Sequence, residues 1–182
     1  IKNPEVKVIL PVHFAGQAAN MTRIMSLANQ YNVKVMEDAA HAVPSTHNGQ
    51  MIGTFGDITV YSFYANKTMT TGEGGMVVTR KTALAKRCRV MRLHGISRDS
   101  FDRYTSDKPS WFYEVVAPGF KYNMPDISAA IGIHQLNRLK QFQIKRSQMA
   151  QRYDKLLADL PIILPARPDV DSTHAWHLYP IR

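Results

Sequence analysis

The chain has 182 residues, 45% of them hydrophobic and 20% charged, an ordinary globular composition with enough length for a sizeable core. No apolar run approaches the roughly 18 residues of a membrane span, and no basic-then-apolar stretch opens the sequence. The formal net charge is +9, but the basic residues are dispersed and no aromatic-interleaved basic motif accompanies them, which favours an anionic substrate or a partner surface over nucleic acid.

Val6 to Val12 reads as a buried strand. Asn20 is placed to N-cap a helix through about Tyr31, with Met21, Ile24, Met25, Leu27 and Ala28 on its apolar face. Val33 to Met36 is a short strand with Asp38 at its C-terminal end; Ile58 to Phe63 and Gly75 to Thr79 are further strands, and Lys81 to about Leu93 is a helix. Strand, helix, strand in this order predicts a βαβ unit in an open α/β sheet, where ligands sit beyond the carboxyl ends of the strands. Residues 95 to 123 carry Gly, Ser, Asp, Pro and aromatics without a sustained period, the length of a functional loop. Pro125-Asp126 opens a helical stretch to about Leu160, one helix or two with a bend near Arg138. Pro161, Pro165 and Pro168 break it, and His174 to Arg182 reads as a final strand. The single cysteine, Cys88, forms no internal disulfide and fits a reducing cytoplasm.

Two segments carry chemistry. Lys67 stands just past an apolar run and before the turn Thr71-Gly72-Glu73-Gly74-Gly75, and Asp38 ends an earlier apolar run. Pyridoxal phosphate (PLP) chemistry needs such a pair: an amine to hold the aldehyde as a Schiff base, and a carboxylate to keep the pyridine nitrogen protonated. Ser62, at the end of its strand, offers a hydroxyl to a phosphate oxygen, and the small Ala39 and Ala40 leave room for a flat ring. Each residue also has a plainer reading: a solvated lysine, a carboxylate capping a turn, and, for His41, a structural histidine in place of one that reaches the ring hydroxyl. No metal site is read from the sequence.

Glu37-Asp38-Ala39-Ala40-His41, Ser62-Phe63-Tyr64-Ala65-Asn66-Lys67 and Thr71-Gly72-Glu73-Gly74-Gly75 resemble segments of the DegT/DnrJ/EryC1/StrS aminotransferases, fold-type-I PLP enzymes that aminate nucleotide-linked keto-sugars. Pro11 to Gln17 and Met91 to Gly95 are similar to two more of the family's motifs, and the similarity runs over essentially the whole chain. Five ordered motifs are far more specific than any one. Within the family, Ala117 to Asp126 and His174 to Leu178 resemble the ArnB type, UDP-4-amino-4-deoxy-L-arabinose–oxoglutarate aminotransferases that serve lipid A modification.

The resemblance implies an α/β PLP-dependent transferase fold of type I. Residues 1–124 would be part of the large PLP-binding domain, 125–160 a connecting helix or helix pair, and 161–182 the start of the small C-terminal domain. It implies that Lys67 holds PLP and moves the proton, that Asp38 pairs with the pyridine nitrogen, that His41 lies near the ring hydroxyl and that Ser62 binds the phosphate. Asn123 is implied to reach the cofactor phosphate of the neighbouring subunit in a cytoplasmic homodimer. Many members have Asn at the place of Lys121 and Arg at that of Asn123, so the identity of that cross-subunit ligand stays open. His174 or His177 is implied to contact the sugar nucleotide, with a plain strand histidine as the competing reading. Glutamate would give its amine, leaving 2-oxoglutarate, and a nucleotide-linked 4-keto-sugar would accept it. The chain begins without Met and close to one strand-like run, and stops inside another, so it reads as a fragment of a longer enzyme. Two rivals stand beside this reading. Relatives that dehydrate sugars carry His where Lys67 stands, and a non-catalytic relative would bind PLP or another ligand and regulate.

Overall fold

A computed structural model of the protein describes residues 5–97 and 113–182. Most of the segment expected as a long loop, residues 98–112, therefore lies outside the described residues. The strands are β1 (Val8–Ile9), β2 (Lys34–Asp38), β3 (Thr46–His47), β4 (Gln50–Met51), β5 (Ile58–Ser62) and β6 (Gly75–Val78), and the helices are α1 (Met21–Gln30), α2 (Thr82–Met91) and α3 (Asp126–Leu157). β1, β2, β5 and β6 form one sheet in that order; β1, β2 and β5 run parallel, and β6 returns antiparallel to β5.

The first strand is shorter than its apolar run because Pro11 has no N–H to donate to a ladder, and it is an edge strand and not the buried one expected, with Val8, Leu10 and Val12 exposed. Pairing resumes for one bridge, Val12 to Asp38, with the Pro11 carbonyl accepting from Asp38 N at 2.9 Å. α1 starts where its cap dictates: the Asn20 side chain accepts from Arg23 N at 3.0 Å. It buries Met21 and Ala28 against Val35, Ala39 and Ile52. Full burial of a side chain such as Met21 is worth about 1.5–3 kcal/mol.

Strand alternation divides the sheet's chemistry. In the parallel register Glu37 pairs with Thr59 and Asp38 with Val60. Glu37, Thr59 and Tyr61 therefore face one side, and Asp38, Val60 and Ser62 face the other.

On the first side Glu37 is fully buried and accepts four hydrogen bonds: from Gly56 N at 2.8 Å, Thr59 Oγ1 at 2.9 Å, His13 Nε2 at 3.2 Å and Gly53 N at 3.4 Å. His13, also fully buried, accepts from Ala19 N on Nδ1, so its proton is on Nε2 and points at Glu37. Burial pushes the Glu37 carboxyl up, but the bonds from His13, Gly56, Thr59 and Gly53 outweigh it and hold the group below its ordinary 4.5. Gly56 is needed for this approach, since a Cβ there would meet Val35 O at 2.9 Å and Glu37 Oε1 at 3.2 Å.

Between β2 and β5 the chain makes the hairpin β3–β4, turned by Asn48 and Gly49 with φ of 49° and 73°. This is the Asn-Gly two-residue turn, and it was not among the expected elements. α2 ends at Met91, and the chain then turns through left-handed His94 and Gly95. α3 is one helix of 32 residues, with no break at Arg138.

The expected strand from His174 to Arg182 does not form. Thr173 makes one bridge to Thr46, and then Trp176 takes a left-handed φ of 49°. The amides of Ala175 and Leu178 donate to Gly16 O and Ala15 O in place of a strand partner. Among the described residues, no helix is long and apolar enough to cross a membrane.

Because the folded Glu37 carboxyl sits below its unfolded value, its stabilisation is whole above about pH 4.5 and fades as pH falls through the lower folded value. Glu37→Gln turns a donor toward other donors. It is expected to cost about 3 kcal/mol at neutral pH and to flatten the acid limb of stability, as read from urea melts at stepped pH.

Candidate active site

The site lies where the parallel strands end. Asp38 is fixed by its backbone on both flanks: its N–H donates to Pro11 O, its C=O accepts from His13 N at 3.0 Å, and the next amide, Ala39 N, donates to Val60 O at 2.9 Å. One carboxylate oxygen accepts from Ala40 N at 3.0 Å, so the side chain also caps the turn that follows the strand, as its plainer reading expects. Ser62 stands on the same face of the neighbouring strand, and its Oγ accepts from Tyr64 N at 3.3 Å.

Lys67 is carried by the loop that leaves β5 and returns as β6. Phe63 closes the neck of that loop, donating to Gly74 O at 2.8 Å and accepting from Thr71 N at 2.9 Å. Phe63 and Met69 pack with Leu139 of α3 beneath it. A Cβ at Gly75 would meet Tyr61 O at 2.7 Å, so the return into the sheet requires glycine there.

His41 links these elements. Its Nδ1 accepts from Ala15 N at 3.3 Å, and its ring lies 4.4 Å from that of His177, centroid to centroid. Burial and the Lys67 cation lower its pKa from the ordinary 6.5, against a smaller upward pull from the Asp38 carboxylate. His177 is pushed down to about 4 by burial, helped by His41, Lys67 and Arg146. Its Nδ1 is buried with no hydrogen-bond partner among the described residues. Lys67 and His177 open onto a cavity of about 550 Å³ whose wall includes Phe142, Lys145, Arg146 and Tyr153 of α3.

The structure thus places Lys67 and His177 on one cavity and His41 against His177, with Asp38 and Ser62 sharing one face of the neighbouring strand ends. It does not bring in His174 or Asn123. The His174 ring is buried and stacked on Trp176 at 3.8 Å, and its Nδ1 accepts from Trp176 N at 2.9 Å. Burial and the Arg167 cation push it down to about 4. Asn123 accepts a hydrogen bond from Lys121 Nζ, and no hydrogen bond joins it to Asp38, Ser62 or Lys67 among the described residues.

Two contributors were absent from the sequence reading. Arg146 donates to Trp176 O at 3.0 Å, and the His13–Glu37 pair lies beneath the site. The histidine of the Pro-Val-His segment and the acid beside Asp38 were the signal for the pair. Nothing in the irregular apolar spacing of α3 marks Arg146.

The donor set fits a phosphorylated pyridine aldehyde. A carboxylate suits a pyridinium nitrogen, a hydroxyl a phosphate oxygen, a neutral imidazole N–H a ring oxygen and an amine the aldehyde. The sequence model of the DegT/DnrJ/EryC1/StrS aminotransferase family matches residues 2–182. The chain belongs to this family. It is 46% identical over 176 residues to the spore coat polysaccharide biosynthesis protein SpsC of Bacillus subtilis, covering 97% of this chain and 45% of SpsC. Among solved structures it is similar to the aminotransferase TlmJ from Streptoalloteichus hindustanus, with a TM-score of 0.88 and 32% identity over 99% of this chain and 46% of TlmJ. The PMP-form of the putative sugar aminotransferase Spr1654 from Streptococcus pneumoniae gives a TM-score of 0.85 at 30% identity, covering 97% of this chain and 49% of that one, and Spr1654 is also solved in a PLP-form. The fold is therefore that of the type I PLP-dependent aminotransferases, with a mixed α/β sheet, and the family's cofactor is PLP. The chain spans a little under half the length of these relatives.

His174 and His177 have folded pKa values below the ordinary 6.5, so on acidification the unfolded chain takes up protons first. Stability from the two neutral rings is whole above 6.5 and is lost between there and about 4. In an NMR titration His177 is expected to have its midpoint near 4, and Lys67→Ala, which removes a neighbouring cation, to raise it.

Proposed function

We propose that the protein works as a PLP-dependent aminotransferase that moves the amine of glutamate to a nucleotide-linked keto-sugar, leaving 2-oxoglutarate. The observation that carries this reading is the placement of Asp38 and Ser62 on one face at the ends of parallel strands, with Lys67 on the loop that follows Ser62 and lining one cavity with His177, whose ring lies against His41. Bound PLP would supply an electron sink for the carbon that gains or loses the amine. Asp38 would keep the ring nitrogen protonated, and Ser62 would hold a phosphate oxygen. Lys67 Nζ would take the proton from the amino-acid α-carbon and return it on the cofactor side, acting as general base and then acid. His41 would donate Nε2–H to the ring oxygen.

His177, beside the cavity, is our candidate for the sugar-nucleotide contact in preference to His174, whose ring is engaged with Trp176. Lys145 and Arg146 give the cavity wall a positive sign suited to an anionic substrate. Extending the reading, the sugar is a UDP-4-keto-pentose of the ArnB type, in lipid A or another surface-polysaccharide pathway. The similarity of Ala117 to Asp126 supports that assignment, and the similarity to SpsC supports the broader polysaccharide role. The enzyme is a cytoplasmic homodimer in which Asn123 reaches the partner's cofactor phosphate, and the chain divides at 124 and 160 into large-domain, connecting and small-domain parts.

The full-length protein is expected to show a visible absorption band. Borohydride should bleach it and leave a pyridoxyl adduct mapped to Lys67. Lys67→Ala should lose about 10²–10⁴-fold in turnover, the usual contribution of a proton-transferring side chain. An adduct on another lysine, or none with PLP added, would defeat the assignment.

A further inference from the structure

We infer that the Ala15 amide locks His41 as the Nε2–H tautomer, and that the buried His13–Glu37 couple holds that amide in place. His41 Nδ1 is the acceptor of Ala15 N–H, and a ring nitrogen that accepts cannot carry the proton. The remaining nitrogen, Nε2, is left as the ring's one donor. Through the proposed cofactor reading, that donor is what a ring oxygen would meet; the lock itself stands without it.

The amide does not reach this position unaided. Ala15 has a φ of 60°, a left-handed conformation that costs a residue with a Cβ about 1–2 kcal/mol. The turn Phe14–Gly16 must therefore be held from outside. Its leading end is His13, whose backbone donates to Asp38 O and whose ring is gripped between Ala19 N and Glu37. Its trailing end is Gly16, whose carbonyl accepts from Ser45 Oγ at 2.5 Å and from Ala175 N at 2.9 Å. Glu37 is on the far face of β2 from Asp38, and its carboxylate is hydrogen-bonded to His13, Gly53, Gly56 and Thr59. It acts through the turn, and both it and His13 are positioning residues.

The charged and titratable groups bearing on His41 are Lys67, Asp38 and His177, and the Phe14 ring lies 6.1 Å away. The lowered pKa of His41 agrees with a neutral ring, the state in which a tautomer is defined.

The test is a long-range ¹H–¹⁵N NMR experiment on the full-length, ¹⁵N-histidine-labelled protein at neutral pH, with His41→Gln used to assign the signals. His41 is expected to show a protonated Nε2 and an unprotonated Nδ1. Ser45→Ala, and Glu37→Gln, are expected to give a mixture of tautomers and a titration midpoint moved up toward 6.5, with the far-UV circular dichroism unchanged. Ser45→Ala tests the trailing end of the turn; if Glu37→Gln fails to fold, Thr59→Val, which takes a hydroxyl donor from the same carboxylate, tests the couple in its place. An Nδ1–H tautomer or a charged ring in the unmodified protein overturns the inference. So does an unchanged His41 in a folded variant of either kind. A merely structural role for Glu37 would lower stability without moving the His41 tautomer, and labelling of Lys67 by borohydride is read separately, so failure of the cofactor reading leaves this result intact.

Discussion

A carboxylate with no exposed surface sits one residue from the proposed cofactor ligand, and the rest of the site depends on how it is satisfied. Removing a carboxylate from water costs several kcal/mol unless donors replace the lost hydration. Glu37 finds its donors in separate pieces of chain: His13 after β1, Gly53 and Gly56 in the connection before β5, and Thr59 within β5. These pieces can satisfy one carboxylate only if they converge on it. Once they do, the end of β2 is immobilised between β1 and β5. Tyr61, pushed up to about 12 by burial and by Glu37, completes the layer by donating to Ile52 O at 2.5 Å.

The same constraint decides where Asp38 points. Side chains alternate along a strand, so a buried Glu37 on one face puts Asp38 on the other. Parallel register then places Ser62, two residues beyond the partner of Asp38, on that same face. A slip of one residue would exchange the faces, burying Asp38 among the donors of Glu37 and turning Glu37 out. The hydrogen bonds to Glu37 act as a register key: two adjacent acids, alike in the sequence, are sorted by which of them has donors waiting.

This explains what could be read in the chain and what could not. α1 was legible because a cap and a 3.6-residue period agree, and β2, β5 and β6 because short apolar runs end at glycines or charges. The single span of α3 was less so: only Leu139 and Ala150 of it are buried, and a weakly periodic helix does not announce its length. The tail from His174 resembled a strand because bulky residues favour one, yet its backbone partners are at Ala15 and Gly16, far away in sequence. Of the candidate site residues, Lys67, Asp38 and His41 are drawn together, and His177 joins them through a left-handed turn that no local pattern encodes. The roles of Glu37 and Arg146 rest on burial and on long-range partners. Only the first has a trace in the sequence, as the acid beside Asp38 in a segment that also pairs with the Pro-Val-His histidine; nothing in the spacing of α3 marks the second.

The two left-handed turns support each other. Ala15 and Trp176 each hold a conformation that an isolated chain would abandon, and each turn supplies the other's missing partners: Ala175 N to Gly16 O, Leu178 N to Ala15 O. Arg146 fixes the Trp176 carbonyl from α3, and Ser45 fixes the Gly16 carbonyl from beneath. Strain of this kind persists only where the surroundings over-determine it. Here the over-determination grips His41 on two sides, with the Ala15 amide on one and the His177 ring on the other. The irregular tail is consequently as firmly placed as a strand would be: Ala175 has no exposed surface although it belongs to no regular element. A regular strand would have spaced its side chains on two faces. The turn at Trp176 instead sends the Trp176 ring to His174 and Arg167, and leaves His177 beside Lys67.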